Sequence, residues 1–430
     1  MNKVAVNASW IIICKVLKAV FVFFINTLTA RFLGPSNYGI ITYASSLVLF
    51  LVPLMQLGFG DILVKEIIDR PEQEGQTVGT AIVISAFSSC LCIAAVTLFS
   101  LAANPEDRET TIVCFLCSLI LFFQAFDHIQ CWYQAKLLSK YTSIVSLAVY
   151  VIVSVFRAYL LIASKSVRWF ALASVLDTAL ISVFLLITYK RVGGQKLSFS
   201  ADRGRELLSS GKYYVLSGMM VTVFSYTATI MLRHMFDQAA DGYYGVALTC
   251  SGAFGFIIEA IINSFRPSIL ERARDSSEVM KQRIRQLFSA VIYLTLIIGI
   301  FVTLFAGVLL RLLYGNEYLN AVDPLRILAW CSMFSYIGSV RNIWILASDK
   351  QKYLWIINLA GAVSNVALNL TLIPRFGVTG AALSTLATQI IANIIVSYAI
   401  GPIRESMELM RESTDPRVLI ECIKAVFEKE

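Results

Sequence analysis

Apolar stretches long enough to cross a lipid bilayer recur along the whole chain. A helix needs about 20 mainly apolar residues to cross the hydrocarbon core, which is about 30 Å thick. The composition agrees, since 57% of the residues are hydrophobic and 15% are charged, whereas about a quarter are charged in a typical soluble domain. The sequence therefore predicts an all-α polytopic membrane protein.

The apolar stretches predict twelve transmembrane helices. They cover residues 9–33, 38–63, 78–103, 111–135, 142–163, 167–189, 212–233, 243–265, 287–313, 323–347, 353–374 and 378–401. With the N-terminus in the cytoplasm, Lys and Arg concentrate in the loops on the cytoplasmic side, as the positive-inside rule requires. Both termini are therefore expected in the cytoplasm. The net charge of +8 is then a topology signal, with some contact to anionic membrane lipid, and does not indicate nucleic-acid binding.

Similar segments occur in the same order in the two halves of the chain, which indicates an internal duplication. NYGIITYASS (37–46) aligns with YYGVALTCSG (243–252), and three further pairs follow at a similar spacing. An even number of helices per copy makes the repeats parallel, with a central cleft of the kind used in alternating-access transport. The predicted parts are an N-terminal six-helix bundle (1–189), a cytoplasmic linker (190–211), a C-terminal six-helix bundle (212–401) and a cytoplasmic tail (402–430).

Polar residues recur at helical spacing inside several predicted spans, as expected where helices line a wet cavity. Lys15 and Lys18 lie deep in the first span, where a lysine costs about 2.5–3.5 kcal/mol if it faces lipid. The candidate binding residues are Lys15, Lys18, Asn26, Arg31, Arg157, Arg233, Arg341, Asn365 and Asn369. The candidate ion-coupling residues are Asp127, His128, Asp177 and Glu259.

Each of these candidates also has a structural interpretation. Arg31 and Arg233 lie near span ends, where a long side chain can reach the membrane interface. Arg157 and Asp177 could form an ion pair between consecutive spans, and Asp127 with His128 could be either a proton carrier or a hydrogen-bonded pair between helices. Small and polar residues along a helix can simply mediate helix packing.

The sequence contains no motif of an ATP-driven pump or of an enzyme. SSGKYY (209–214) lacks the first glycine of a phosphate-binding P-loop and the hydroxyl residue after its lysine. Cys114 and Cys117 form a C-x-x-C in mid-span, without the second pair that a metal site needs. We therefore expect no cofactor, no metal site and no catalytic activity.

Three runs of the sequence resemble the bacterial polysaccharide flippases, the Wzx or O-antigen transporter family. They are LTARFLGPSNYGIITYASSLVLFLVPLMQLGFGDILVKEI (28–67), LLYGNEYLNAVDPLRIL (312–328) and NLTLIPRFGVTGAALSTLATQ (369–389). The resemblance implies the multidrug/oligosaccharidyl-lipid/polysaccharide exporter superfamily, with two six-helix lobes in the bacterial inner membrane. It also implies that an undecaprenyl-pyrophosphate-linked oligosaccharide moves to the outer leaflet, with proton or sodium antiport and with a polysaccharide polymerase and chain-length regulator as partners.

The buried cations suit such a substrate, because Lys and Arg form charge-assisted hydrogen bonds with phosphate oxygens. Lys15 and Lys18 are accordingly interpreted as phosphate contacts. Two alternatives remain open at this point. A multidrug or organic-cation extruder of the same superfamily would place acidic groups in its cleft, and a non-transporting scaffold for glycosyltransferases would use the polar stripes only for packing.

Overall fold

The computed structural model describes residues 3–275 and 277–420, and within these ranges the chain is almost entirely helical, with no strand. This confirms the predicted all-α class. The α-helices, in chain order, are α1 (Lys3–Gln56), α2 (Phe59–Asp69), α3 (Glu74–Ala103), α4 (Arg108–Gln124), α5 (His128–Ala135), α6 (Ser139–Ile162), α7 (Val167–Val192), α8 (Ala201–Met235), α9 (Gln238–Gly252), α10 (Gly255–Asp275), α11 (Ser277–Leu313), α12 (Val322–Ala347), α13 (Leu354–Ile390), α14 (Val396–Ala399) and α15 (Arg404–Glu412).

Two of these helices are broken at a glycine, and the first of them is also far too long to be a single membrane span. Helix α1 has 54 residues, which at 1.5 Å per residue is roughly 80 Å of helix. Gly34 interrupts α1 with φ 72° and ψ 170°, and Gly377 interrupts α13 with φ 57°. A Cβ atom on Gly380 would lie 2.1 Å from the Leu372 carbonyl oxygen, so the chain folds back at the second break. Each helix therefore contains two of the predicted spans.

Eight helices of the described ranges are long and apolar enough to cross a membrane. A ninth span results if α9 and the adjoining part of α10 are counted together, since they pass the same test as a pair bent by 44°. The chain is thus a multi-pass membrane protein. The predicted total of twelve spans is compatible with the breaks in α1 and α13 but remains a prediction.

The chain divides into two compact units, one comprising Met1–Gly242 and the other beginning at Tyr243. The division falls inside α9. Helix α8 therefore belongs to the first unit, where it packs against α1 and α3, whereas the sequence placed the boundary at the linker before α8. The residue ranges given above for the two six-helix bundles remain a prediction.

The linker after α7 lies directly against the beginning of α3. Ser198 N–H donates to the Gly75 carbonyl at 3.4 Å, and Ser200 N–H donates to Thr80 Oγ1 at 3.0 Å. Built Cβ atoms on Gly75 and Gly79 would lie 2.6 Å from the Lys196 carbonyl oxygen and 2.5 Å from that of Ser198, respectively. Because the two glycines of this G-x-x-x-G sequence have no side chain, the linker backbone can pack directly against α3 at both positions.

The second unit has its own hydrophobic core around α10, α11 and α12. Phe288 and Val291 of α11 and Trp344 of α12 are almost fully buried in it. Met407 of the short helix α15 packs into the same core, while Glu405 pairs with Lys281 of α11 at 2.8 Å. The beginning of the predicted C-terminal tail is therefore an integral part of the second unit.

We predict that Gly79→Val lowers the thermal stability of the purified protein, because the new side chain would displace the Ser198 carbonyl. Overpacking of this kind typically costs about 1–3 kcal/mol. Thermal unfolding in detergent measures the effect. Gly60→Ala is the matched control, since a Cβ atom on Gly60 meets no atom within 4 Å. An unfolding midpoint for Gly79→Val equal to that of the wild type would contradict the close contact.

Candidate functional site

Four charged side chains from different parts of the first unit come together in its interior. Lys18 of α1 lies within electrostatic reach of both Asp127, which precedes α5, and Asp177 of α7. Arg157 of α6 lies within electrostatic reach of Asp177. All four were predicted separately from the sequence, and the structure brings them together. We call these four residues the charge cluster.

A buried tyrosine lies between the two cations of the charge cluster. The Lys18 Nζ atom is 5.8 Å from the centre of the Tyr150 ring, and the Arg157 guanidinium carbon is 5.9 Å from it. Both distances are within the range of cation–π attraction. Arg157 also donates from Nη2 to Ser174 Oγ at 3.0 Å. The ring and the hydroxyl thus hold the two cations on the same side of the bundle interior.

The charge cluster retains unused hydrogen-bonding capacity. Within the described part of the chain, Asp177 Oδ1 and the Tyr150 hydroxyl are buried without a hydrogen-bond partner. A buried polar atom in this state costs about 1–3 kcal/mol unless water or a ligand satisfies it. Asp127 Oδ1 instead accepts from Gln130 Nε2 at 2.8 Å. With two cations and two carboxylates, the cluster has formally balanced charges.

The predicted pairing of Asp127 with His128 is not formed. His128 is 4% exposed, its Nε2 atom lies 2.8 Å from Ser85 Oγ, and its ring packs against Phe59 at 5.7 Å. Successive residues of a helix point about 100° apart. His128 therefore contacts α3 and α2, while Asp127 belongs to the charge cluster.

The other predicted residues of the first unit are dispersed. Asn26 is half-buried and Arg31 is exposed, while the side chain of Lys15 lies outside the described part of the structure. Arg233 is 8% exposed and pairs through Nη2 with Asp107 Oδ2 at 2.7 Å. Arg233 therefore has its own partner outside the charge cluster.

Asp107, which the sequence analysis did not select, organises the surroundings of Arg233. It caps the N-terminus of α4 by accepting from Thr110 N–H at 3.0 Å, and it accepts from Gln238 Nε2 at 2.7 Å. Burial alone would raise the pKa of Asp107, but the bonds from Thr110 and the charge of Arg233 together lower that pKa below its usual value. An aspartate directly before an apolar helix is a recognisable N-cap signal, and it could have identified this residue.

Three predicted binding residues of the second unit make hydrogen bonds to protein groups in helix contacts. Arg341 is 2% exposed and donates from Nη1 to Ser397 Oγ at 2.7 Å and to the Ala392 carbonyl at 3.3 Å. That carbonyl lies in a π-helical turn over Ile391–Ile395. Asn369 donates to Asn365 at 2.8 Å, and Asn365 donates to Thr388 at 3.3 Å. These contacts correspond to the packing interpretation of the polar stripes.

A polar pocket of about 240 Å³ lies between α10 and α12 of the second unit. Asn263 and Arg266 line it from α10, and Ser339 and Asn342 line it from α12. The members of each pair are three residues apart and so share one helix face. Glu259, a predicted ion-coupling residue, is exposed one turn before Asn263. The sequence analysis treated Arg266 as a topology signal and did not place it in a binding site.

Comparison with known sequences identifies the family. A family profile described as "Polysaccharide biosynthesis protein" matches residues 28–323. The chain belongs to this family. The putative O-antigen transporter of Escherichia coli strain K12 is 22% identical over 384 residues, which are 84% of this chain and 87% of that protein. An uncharacterized membrane protein, MJ1068, of Methanocaldococcus jannaschii is 23% identical over 279 residues, which are 64% of this chain but only about half, 54%, of that protein.

Solved structures with the same fold come from transporters. The lipid II flippase MurJ in an inward closed conformation superposes with a TM-score of 0.72, at 13% identity, over 97% of this chain and 92% of that one. An inward-facing multidrug resistance transporter of the MATE family superposes with a TM-score of 0.66, at 12% identity, over 93% and 96%. At these identities the similarity establishes the fold.

We predict that Arg341→Ala lowers the thermal stability of the protein, because it leaves Ser397 and the Ala392 carbonyl without their buried donor. The loss of such bonds costs about 1–3 kcal/mol, and thermal unfolding in detergent measures it. Ser339→Ala, on the neighbouring face of α12, is the control and should unfold like the wild type. An Arg341→Ala protein of unchanged stability but lost activity would instead support the binding role predicted from the sequence.

Proposed function

We propose that this protein flips undecaprenyl-pyrophosphate-linked oligosaccharide repeat units from the cytoplasmic to the outer leaflet of the bacterial inner membrane. The product would serve the synthesis of a surface polysaccharide such as O-antigen, capsule or exopolysaccharide. The membership of the polysaccharide biosynthesis family and the similarity to an O-antigen transporter support this assignment. The observation on which it depends is the placement of Lys18 and Arg157 together inside the first unit.

The chemistry of the charge cluster fits the acidic headgroup of such a lipid. A pyrophosphate that leaves water needs compensating donors, and Lys and Arg provide charge-assisted hydrogen bonds. Lys18 and Arg157 would bind the phosphate oxygens, and the Tyr150 hydroxyl, which has no partner in the described residues, would donate a further bond. Asp127 and Asp177 would balance the cations when the substrate is absent, and they are the proposed sites for a coupling proton or sodium ion.

The polar pocket of the second unit provides groups suited to sugar hydroxyls. Asn263, Ser339 and Asn342 offer both donors and acceptors, and Arg266 adds a cation at the same pocket. Pockets that recognise small polar ligands typically have a few placed polar groups in an otherwise apolar lining. Ile262 and Ile343 supply that apolar lining here.

The proposed direction of transport follows from the distribution of basic residues. The positive-inside rule places both termini and the basic linker in the cytoplasm, which gives the protein one orientation in the inner membrane. Movement by alternating access would then deliver the lipid to the side where a polysaccharide polymerase and a chain-length regulator act. These two proteins are the proposed partners.

A multidrug or organic-cation extruder is the second candidate function. The fold shared with the MATE transporter supports it, and Asp127 and Asp177 provide the carboxylates that an organic cation requires. The two functions make opposite demands on the charge cluster, because an anionic lipid needs Lys18 whereas an organic cation would be repelled by it. Drug susceptibility of a deletion strain, measured beside its surface polysaccharide, separates the two.

We predict that Lys18→Gln reduces the appearance of lipid-linked oligosaccharide in the outer leaflet by roughly ten- to a hundredfold. This corresponds to the loss of one hydrogen bond to a charged group, about 1.5–3 kcal/mol. Transport of a radiolabelled polyprenyl-pyrophosphate oligosaccharide into proteoliposomes measures the rate.

Lys140→Gln is the matched control for this experiment. Lys140 also lies over a tyrosine ring, at 5.1 Å from that of Tyr141, but it is exposed at the beginning of α6, and its substitution should leave the rate unchanged. Wild-type transport by Lys18→Gln would contradict the proposed phosphate contact. Failure of the wild-type protein itself to transport the lipid would instead favour a scaffold role.

A further inference from the structure

The beginning of α9 and the second segment of α1 touch through their backbones. A Cβ atom on Gly39 would lie 1.8 Å from the Gln238 carbonyl oxygen, and one on Gly242 would lie 2.0 Å from the Pro35 carbonyl oxygen. No side chain fits at distances below 3.0 Å. The contact therefore depends on both glycines.

Asp241, the residue before Gly242, is enclosed by this contact. Its exposed fraction is 0%. Within the described part of the chain, neither of its carboxylate oxygens has a hydrogen-bond partner. The sequence analysis did not select Asp241, and neither the charge cluster nor the polar pocket includes it.

The nearest cation does not form a hydrogen bond with Asp241. Arg233 of α8 lies within electrostatic reach of Asp241, but its Nη2 atom donates to Asp107 and to Thr110. The Arg233 guanidinium also lies 5.5 Å from the Tyr43 ring. A single positive charge is therefore shared between two carboxylates, and Asp107 receives the direct bonds.

The other titratable groups near Asp241 do not stabilise a negative charge on its carboxylate. Asp237, before α9, lies within electrostatic reach of Asp241 and repels a negative charge there. Its own carboxylate caps α9 by accepting from Ala240 N–H at 2.8 Å. Tyr43 of α1 is the other titratable group facing Asp241, and its neutral hydroxyl adds no positive charge.

The buried side chain of Asp241 is far more stable as a neutral carboxylic acid than as a charged carboxylate. Burying an unpaired ion costs many kcal/mol, and a buried group usually becomes neutral instead. We propose that Asp241 is a proton-binding site: it binds a proton while α1 and α9 are in contact and releases it when the contact separates and water reaches the carboxylate. This site is independent of the substrate assigned above.

The proposal fixes the sign of the pH dependence. Because the closed contact binds one proton more than the open one, acid favours the closed contact and rising pH favours its separation. The equilibrium between the two should shift by about tenfold per pH unit, as expected for one linked proton. The protein would thereby couple the separation of α9 from α1 to the release of a proton.

The decisive variant is Asp241→Asn, which has the shape of a protonated aspartate but cannot ionise. In the unfolded chain an aspartate is ionised above about pH 3.9. At neutral pH the wild type must therefore take up a proton at Asp241 when it folds, whereas the variant need not. We expect Asp241→Asn to have the higher unfolding midpoint at pH 7–8, and the difference to shrink as the pH falls and to disappear only below about pH 3.9, where the unfolded aspartate is protonated as well. Thermal unfolding of the full-length protein in lipid nanodiscs across this pH range measures it.

The opposite sign would overturn the proposal. If Asp241 were ionised and attracted to Arg233, Asp241→Asn would be the less stable protein at pH 7–8, and the difference would disappear in acid. A difference that does not vary with pH would overturn it equally, because no proton would then be linked to folding. Asp237→Asn is the control: asparagine caps helices about as well as aspartate, so its midpoint should follow that of the wild type at every pH.

Transport provides a second readout that a purely structural residue would not change. The rate of lipid-linked oligosaccharide transport should depend on pH in the wild type, and Asp241→Asn should alter that dependence over pH 5–8. A pH profile identical to that of the wild type would overturn the proposed coupling. Since the unfolding experiment needs no substrate, failure of the assigned function and failure of this proton site can be told apart.

Discussion

The cost of placing a charge in hydrocarbon governs the arrangement of this protein. Inside the described helices, buried cations lie beside partners of opposite charge, hydroxyls or carbonyls, as expected when an unpaired ion is several kcal/mol less stable. Arg233 has Asp107, and Arg341 has Ser397 and the carbonyl of a π-helical turn. The carboxylate of Asp241 is buried without a hydrogen-bond partner in the described residues. The charge cluster differs from these positions because its two cations and two carboxylates are all only half-buried.

The sequence predicted the fold class and the positions of most helices, because apolar length and periodicity depend on local sequence alone. It also indicated the breaks at Gly34 and Gly377, since the predicted spans end at residues 33 and 374 and begin again at residues 38 and 378. It did not predict that α8 belongs to the first unit. That grouping depends on which helices pack together, as in the contact of Thr222 with the Phe50 carbonyl at 3.1 Å, and no local pattern encodes such a contact.

The proximity of charged residues followed the sequence prediction for two cations deep in their spans, whereas a side chain that can turn to either face of its helix could not be placed from the sequence. Lys18 and Arg157 do lie together, whereas Arg341 points into a helix contact and its neighbour Asn342 lines the pocket. Adjacent residues of a helix point about 100° apart. Two neighbours such as these can therefore face different surroundings, and the sequence alone does not tell which of them faces a pocket. Asp107, Arg266 and Asp241 were not selected because their importance comes from partners or enclosing segments on other helices.

The linker that crosses the beginning of α3 has a consequence for how α8 is joined to the helices before it. Gln195 accepts from Gly75 N–H at 3.2 Å and donates to the Pro71 carbonyl at 3.0 Å, and Arg203 contacts Glu66 and Thr77, each at 3.1 Å. If the peptide bond between Gly193 and Gly194 were cut, these bonds would still attach α8 to the helices before it. The connection between α8 and the preceding helices is therefore noncovalent as well as covalent, and a gene split at this point could still encode two fragments that assemble.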